Sequence, residues 1–238
     1  MKRAGFVFIA VAILFGAGCV SSGKNLVAQK DPIALVSVVC NEEISWTGEQ
    51  ITSPDTAGPL SKRRMRSNPD MTITTKAFDI INPVEKIFRD SMGSSKHFNL
   101  ADKETVFQSR AYQNSNERMY PNRKMITADD YRFIYYRDKN FPAALAAETG
   151  IQRTMFVEFN ISKTLYTGIS FFGNCRAEVE MTVIVMNAQG KTVYAKTISV
   201  MSTTSTRTIN GVYSQSEFVG MVINAIDGIC FEFFNNFN

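Results

Sequence analysis

Apolar and polar positions alternate with period two in two stretches late in the chain. Met155, Val157, Phe159 and Ile161 interleave with Glu158, Asn160 and Ser162; Ala177, Val179, Met181, Val183 and Val185 interleave with Arg176, Glu178, Glu180 and Thr182. The pattern predicts two strands with one face on a core and one in water, as in antiparallel sheets. Residues 187–191 read as a tight hairpin whose Gly190 supplies a positive φ, and residues 192–202 as the returning strand. Near the start, residues 33–39 form an unbroken apolar, β-branched run, which predicts a central strand buried on both faces.

Helical spacing appears three times. Within residues 78–92, Ile80, Ile81, Val84, Ile87 and Phe88 share one face. Pro83 fits only near a first turn, which points to Asp79 or Asn82 as the cap. Residues 141–148 form a short helix that Gly150 ends. At the end of the chain Ser214 and Glu217 have capping-box spacing. Phe218, Val222, Ala225, Ile229 and Phe233 follow as an apolar stripe, widened by Val219, Ile223, Ile226 and Cys230. A face that broad is expected to lie across a sheet. Residues 104–112 suit a helix or a strand, residues 114–123 a polar loop and residues 129–136 an extended segment. Two long polar excursions, 41–77 and 203–213, read as loops, and loops of such length are usually functional or mobile. The order of elements predicts an α+β fold, a mainly antiparallel sheet with helices packed on one face.

The first residues follow another logic. Lys2 and Arg3 precede an apolar run from Phe6 to Phe15, then Gly16-Ala17-Gly18 and Cys19. Charged, apolar and small-residue segments in this order are those of a secretory signal, too short to span a bilayer. The organisation expected is a cleaved signal at 1–18, a tether at 19–31 and one α+β domain at 32–238. The tether, 12 residues from Val20 to Asp31, could reach roughly 40 Å at full stretch.

Composition then changes the picture in one respect. The chain has 238 residues, 45% hydrophobic and 20% charged, enough apolar surface for a packed core. Its formal charge of +4 falls to +2 once Lys2 and Arg3 leave with the signal. That balance and the export signal argue against a nucleic-acid partner.

The candidate chemistry is sparse. There is no Gly-x-Ser-x-Gly, His-Glu-x-x-His, Walker, Rossmann or Cys-x-x-Cys pattern, so the expectation is no enzyme, no catalytic residue, no metal and no cofactor. His97, the one histidine, reads as a surface residue. Besides Cys19 there are Cys40, Cys175 and Cys230, an odd number. Cys230 reads as a buried small hydrophobe, while Cys40 and Cys175 either pair or stay free. Glu178 and Glu180 read as a solvated strand face, and Asp129-Asp130 as a turn or cap. Lys62, Arg63, Arg64 and Arg66 are four cations in five residues, placed to touch anionic headgroups or to stay solvated. Trp46 either offers a flat contact surface or pins its loop to the core. Phe171-Phe172 are either an exposed contact or core packing.

The run ending Gly16-Ala17-Gly18-Cys19 resembles a bacterial lipobox. By that resemblance signal peptidase II cuts between Gly18 and Cys19, and Cys19 carries a diacylglyceryl thioether and an acylated amine. Gly16 departs from the usual Leu, a position at which spirochaetal lipoboxes are looser. The lipobox, the run Pro142 to Gly150, the long strand, the hairpin at Gly190 and the closing helix together resemble a family of envelope lipoprotein domains. It includes the amino-terminal domain of TolB, the curli-secretion lipoprotein and the lipoprotein activator of a penicillin-binding protein. The resemblance implies a lipid-anchored place in the cell envelope, a membrane partner through Cys19 and an envelope protein partner. It carries over no activity. The function expected is a non-enzymatic binding or scaffolding module with loops 41–77 and 203–213 as its contact surfaces or, alternatively, a regulator of a cell-wall synthesis enzyme or an unrecognised enzyme.

Overall fold

A computed structural model describes residues 31–47, 59–117, 123–169, 172–235 and 237. The expected signal, its Gly18–Cys19 junction and nearly all of the tether lie outside them.

Strand β1 (Ile33–Asn41) is buried on both sides along nearly its whole length, as its apolar run predicts. β2 (Glu43–Trp46), helix α1 (Pro59–Ser67), β3 (Met71–Thr72) and β4 (Thr75–Lys76) follow, so the stretch expected as one loop over 41–77 carries four short elements. Helix α2 (Phe78–Ser94) puts Ile80, Ile81, Val84, Phe88 and Met92 in the core. Its cap differs from expectation. Ala77 stands at the N-cap without a side-chain bond, and Asn82 instead holds the turn at Asp129 through bonds of 2.7 and 2.8 Å. Short helices α3 (Lys103–Phe107) and α4 (Arg110–Gln113) resolve the ambiguous middle as helix. β5 (Met125–Thr127) is brief, and residues 129–136 are turns and an isolated bridge rather than a strand. Helix α5 (Asn140–Thr149) ends at Gly150 with φ +75°, as expected.

The long strands β6 (Arg153–Ile169) and β7 (Phe172–Asn187) form the spine, and β8 (Thr192–Met201) returns beside β7. Gly190 has φ +68° in the turn between β7 and β8. The expected second loop contains β9 (Thr206–Ile209), paired with the start of β7. Its Thr206 and Thr208 are buried on alternate positions. β10 (Tyr213–Ser214) pairs with β3, and α6 (Gln215–Asn235) closes the chain.

The main sheet has eight strands. β1 and then β2 run parallel to β6 on one of its edges; β7 lies antiparallel on the other, and β8 and β9 share the far edge of β7. Side chains patch the ladder where each pair of successive strands breaks. The Asn41 amide donates to the Ile161 carbonyl at 2.9 Å and accepts from the Ile161 N–H at 2.7 Å, bridging β1 to β2. Ser202 does the same between β8 and β9. Its N–H donates to Ala177 at 2.8 Å, and its hydroxyl accepts the Ala177 N–H at 3.2 Å. Each bond satisfies a backbone group that burial would otherwise leave unpaired.

The two faces are covered unequally. α2 and α6 lie over one face, where Val38, Cys40, Val157, Phe159, Ile161 and the odd positions 175–185 of β7 meet Phe88, Phe218, Val222 and Phe233. Phe88 packs edge-on against Phe159 and tilted against Phe233, with centroids 6.1 and 6.3 Å apart. A methyl at Gly228 would stand 3.0 Å from Val200, so α6 comes close to β8 there. Helices on one face holds for this long pair only. α3, α4 and α5 cover one end of the other face, with Val106, Tyr112, Phe141 and Leu145 on Ala34, Val36, Phe156 and Met186.

Candidate functional site: the uncovered sheet face

Among the described residues that second face is open and polar beyond Phe156 and Ile184. Register places Glu158 opposite Thr182, Asn160 opposite Glu180, Ser162 opposite Glu178 and Thr164 opposite Arg176. β8 continues the rows with Thr197 beside Thr182 and Ser199 beside Glu180; β2 adds Ser45 beside Ser162. Because side chains alternate across a strand, one residue set makes the apolar core and the other this polar surface.

Many groups on the face bond to one another. Thr182 and Thr197 share a 3.0 Å hydroxyl bond, and Thr47 and Thr164 one of 2.6 Å. Glu178 accepts from Thr164 at 3.1 Å and from Ser199 at 3.4 Å. Arg123 pairs with Glu158 at 2.9 Å. Glu180 is exposed beside them. A cleft of about 220 Å³ opens here, with Phe156 and Ile184 among its walls and Arg123, Tyr136, Glu158, Glu180 and Thr182 as its polar groups. A neighbouring depression of about 330 Å³ shares Arg123 and reaches Asn41, Glu43 and Asn160.

Toward the β6–β7 turn the character changes. The Arg176 guanidinium lies 3.5 Å from the Tyr166 ring centroid, and that of Arg207 lies 4.5 Å from the Phe172 centroid. Tyr166 and Phe172 are each 51% exposed. Neither arginine pairs with a carboxylate among the described residues.

The residues singled out in the sequence fall elsewhere. Gly18 and Cys19 lie outside the described residues. Lys62, Arg63, Arg64 and Arg66 sit on α1, not on a loop; all but half-buried Arg64 are exposed, and none forms an ion pair with a described residue. Trp46 falls at the end of β2. It is half-buried on the helix-covered side, packed against the core edge-on to Tyr213 at 6.1 Å. Phe171 lies outside the described residues. His97 is half-buried, its ring 6.5 Å from Phe237. Cys40, Cys175 and Cys230 are free and buried. β6 separates the first two, which explains the lack of a bridge, and burial pushes all three thiols up, to about 12, 12 and 11.

Sequence reasoning missed Lys163. It continues the core parity of Phe159 and Ile161 and is 1% exposed. Its ammonium donates to the Ile73 carbonyl at 3.2 Å and the Tyr213 hydroxyl at 3.0 Å, with the Trp46 and Tyr213 ring centroids 5.3 and 4.8 Å away. Burial pulls its pKa down to about 8. Asp70 was missed as well. It takes the Ser216 N–H at 2.9 Å and the Ser214 and Ser216 hydroxyls at the start of α6, which hold its carboxyl below the usual range. Ser214 does accept the Glu217 N–H at 3.2 Å, but the Glu217 carboxylate turns to Thr206.

Among the described residues no helix is long and apolar enough to cross a membrane, and no group of three or more His, Cys, Asp or Glu is placed to hold a metal ion. No protein-family model matches the chain, and no curated protein matches its sequence. Among solved structures it is similar to the LpoB C-terminal domain from Salmonella enterica, with 10% identity over 75% of this chain and 95% of that one and a TM-score of 0.30. At that score the likeness carries no role from that domain to this chain.

Proposed function

We propose that this chain is a lipid-anchored, non-enzymatic binding or scaffolding module of the cell envelope that presents its uncovered sheet face to a protein partner. The observation that carries the reading is that face. Three adjacent long strands offer hydroxyl, amide and carboxylate groups that no helix among the described residues covers. A sheet face left open while its opposite is buried beneath two long helices is a rigid platform for contacts. The signal-like segment ending at Cys19 supports the anchor, since two or three acyl chains hold a protein at a membrane where one does not.

The test is site-specific photocrosslinking in native membranes from Glu180 and Ser199, with Phe231, exposed on α6, as the control position. Adducts from the two face positions and not from Phe231 support the reading. Equal adducts, or none, remove it. A peptidoglycan synthase among the adducts selects the regulator alternative. The anchor is read separately: Cys19→Ser is expected to lose detergent-phase partitioning, and unchanged partitioning refutes lipidation.

A further inference from the structure

The open face is polarised along the strands. Glu158, Glu178 and Glu180 lie in its middle, whereas Arg176 and Arg207 stand on aromatic rings at the end near the β6–β7 turn. That end is far from where the chain enters the fold. Ile33 lies opposite Arg153, so Tyr166 is thirteen residues further along β6, about 43 Å at ~3.3 Å per residue. α1 belongs to the same half, because β3 follows it and Ile73 bonds Lys163. Hence Arg176, Arg207 and α1 lie away from the tether, while Lys139 and Lys191 stand at its end.

We infer that this distal end docks, through Arg176, Arg207, Tyr166 and Phe172 with help from α1, on the anionic lipid surface of a membrane other than the one that holds Cys19. The inference rests on the anchored-module reading and adds the partner at its far end. Charge complementarity carries it. Both guanidiniums lack a carboxylate among the described residues, while the nearby Glu178, Glu217 and Asp70 accept bonds from Thr164, from Thr206 and from Ser214 and Ser216. α1 adds four cations and no acid. Guanidinium forks match phosphate oxygens, and half-exposed Tyr and Phe suit the headgroup boundary. The described cavities are lined by other residues. A basic end with half-exposed aromatic rings suits a planar polyanion.

The lipidated full chain is reconstituted into phosphatidylcholine donor vesicles and mixed with acceptors of pure phosphatidylcholine or of phosphatidylcholine with phosphatidylglycerol. Flotation of donors reads the anchor, and light scattering reads docking. Donors are expected to cluster the anionic acceptors only, and less so at high salt. Arg207→Glu, at an exposed position, should cut clustering several-fold, and Arg176→Glu with Arg207→Glu roughly tenfold or more. Lys62→Glu with Arg63→Glu should give a smaller loss. Arg207→Lys should retain most of the effect and shows that charge is what matters. No clustering of anionic acceptors by wild type, as expected if the occupant is an acidic protein, overturns the inference. So does undiminished clustering by Arg207→Glu. Failure of donor loading instead strikes the anchor.

Discussion

The two faces of one sheet carry the contrast that organises this molecule. Phe159 and Ile161 point into an apolar layer beneath α2 and α6, while their neighbours Asn160 and Ser162 point into a polar field with no described helix above it. The backbone is shared, so the difference lies in side-chain parity and in which face the chain's two long apolar helices fall upon. A buried aromatic contributes through area and packing. An exposed hydroxyl row adds little to stability, which leaves it available for contacts. Lys163 breaks the rule, a cation at a core position whose company is a carbonyl, a phenol and two aromatic rings.

Substitutions on the two faces should therefore differ in size and in kind. Phe88→Ala, at the centre of the covered face, should cost ~3–5 kcal/mol in chemical denaturation; a cost near zero would mean that α2 does not hold the core. Lys163 should show itself through pH. Its folded pKa of about 8 lies below the ordinary 10.5, so the unfolded chain binds more protons between those values. Wild-type stability should rise through that window relative to Lys163→Met, by on the order of 3 kcal/mol, and show no such relative change below it. Parallel pH curves for the two proteins would mean that the amine is hydrated. Asp70→Ala should cost ~1 kcal/mol by removing the partner of the α6 N-terminus, and the wild-type advantage should fade on acidification, since a depressed carboxyl stabilises only while ionised. Glu180→Lys, on the open face, should change stability by no more than ~0.5 kcal/mol yet weaken partner crosslinking from Ser199. A large loss of stability there would erase the distinction between the faces.

Parity made much of this legible beforehand. The alternating runs around Val157 and Val183 specify which residues of β6 and β7 meet the core, and the odd positions of β7 are buried as that alternation requires. Gly150 and Gly190 mark their turns because few other residues tolerate a positive φ. The corrections cluster where signals are short or come from outside the segment. β9 has four residues and polar threonines, and only its pairing with β7 makes it a strand. Asn82 has the right type for a cap but is drawn to Asp129, forty-seven residues away. Lys163 could have been flagged by its place in the core series; its partners could not, because Ile73 and Tyr213 are ninety and fifty residues distant. The arginine–aromatic pairs likewise depend on distant strands meeting, Arg176 over Tyr166 across β7 and β6 and Arg207 over Phe172 across β9 and β7.

Local order, then, is what the sequence determined by itself: the spine strands, the long helices, the α+β class and the signal-like segment ahead of Cys19. Each follows from periodicity or from a run of neighbouring residues, which act over a few residues of chain. Tertiary structure decided which face stays open among the described residues, that Trp46 and Lys163 lie on the covered side, and that Arg176, Arg207 and α1 stand far from the tether. Those outcomes depend on register between distant strands, and a register exists only once the strands have met.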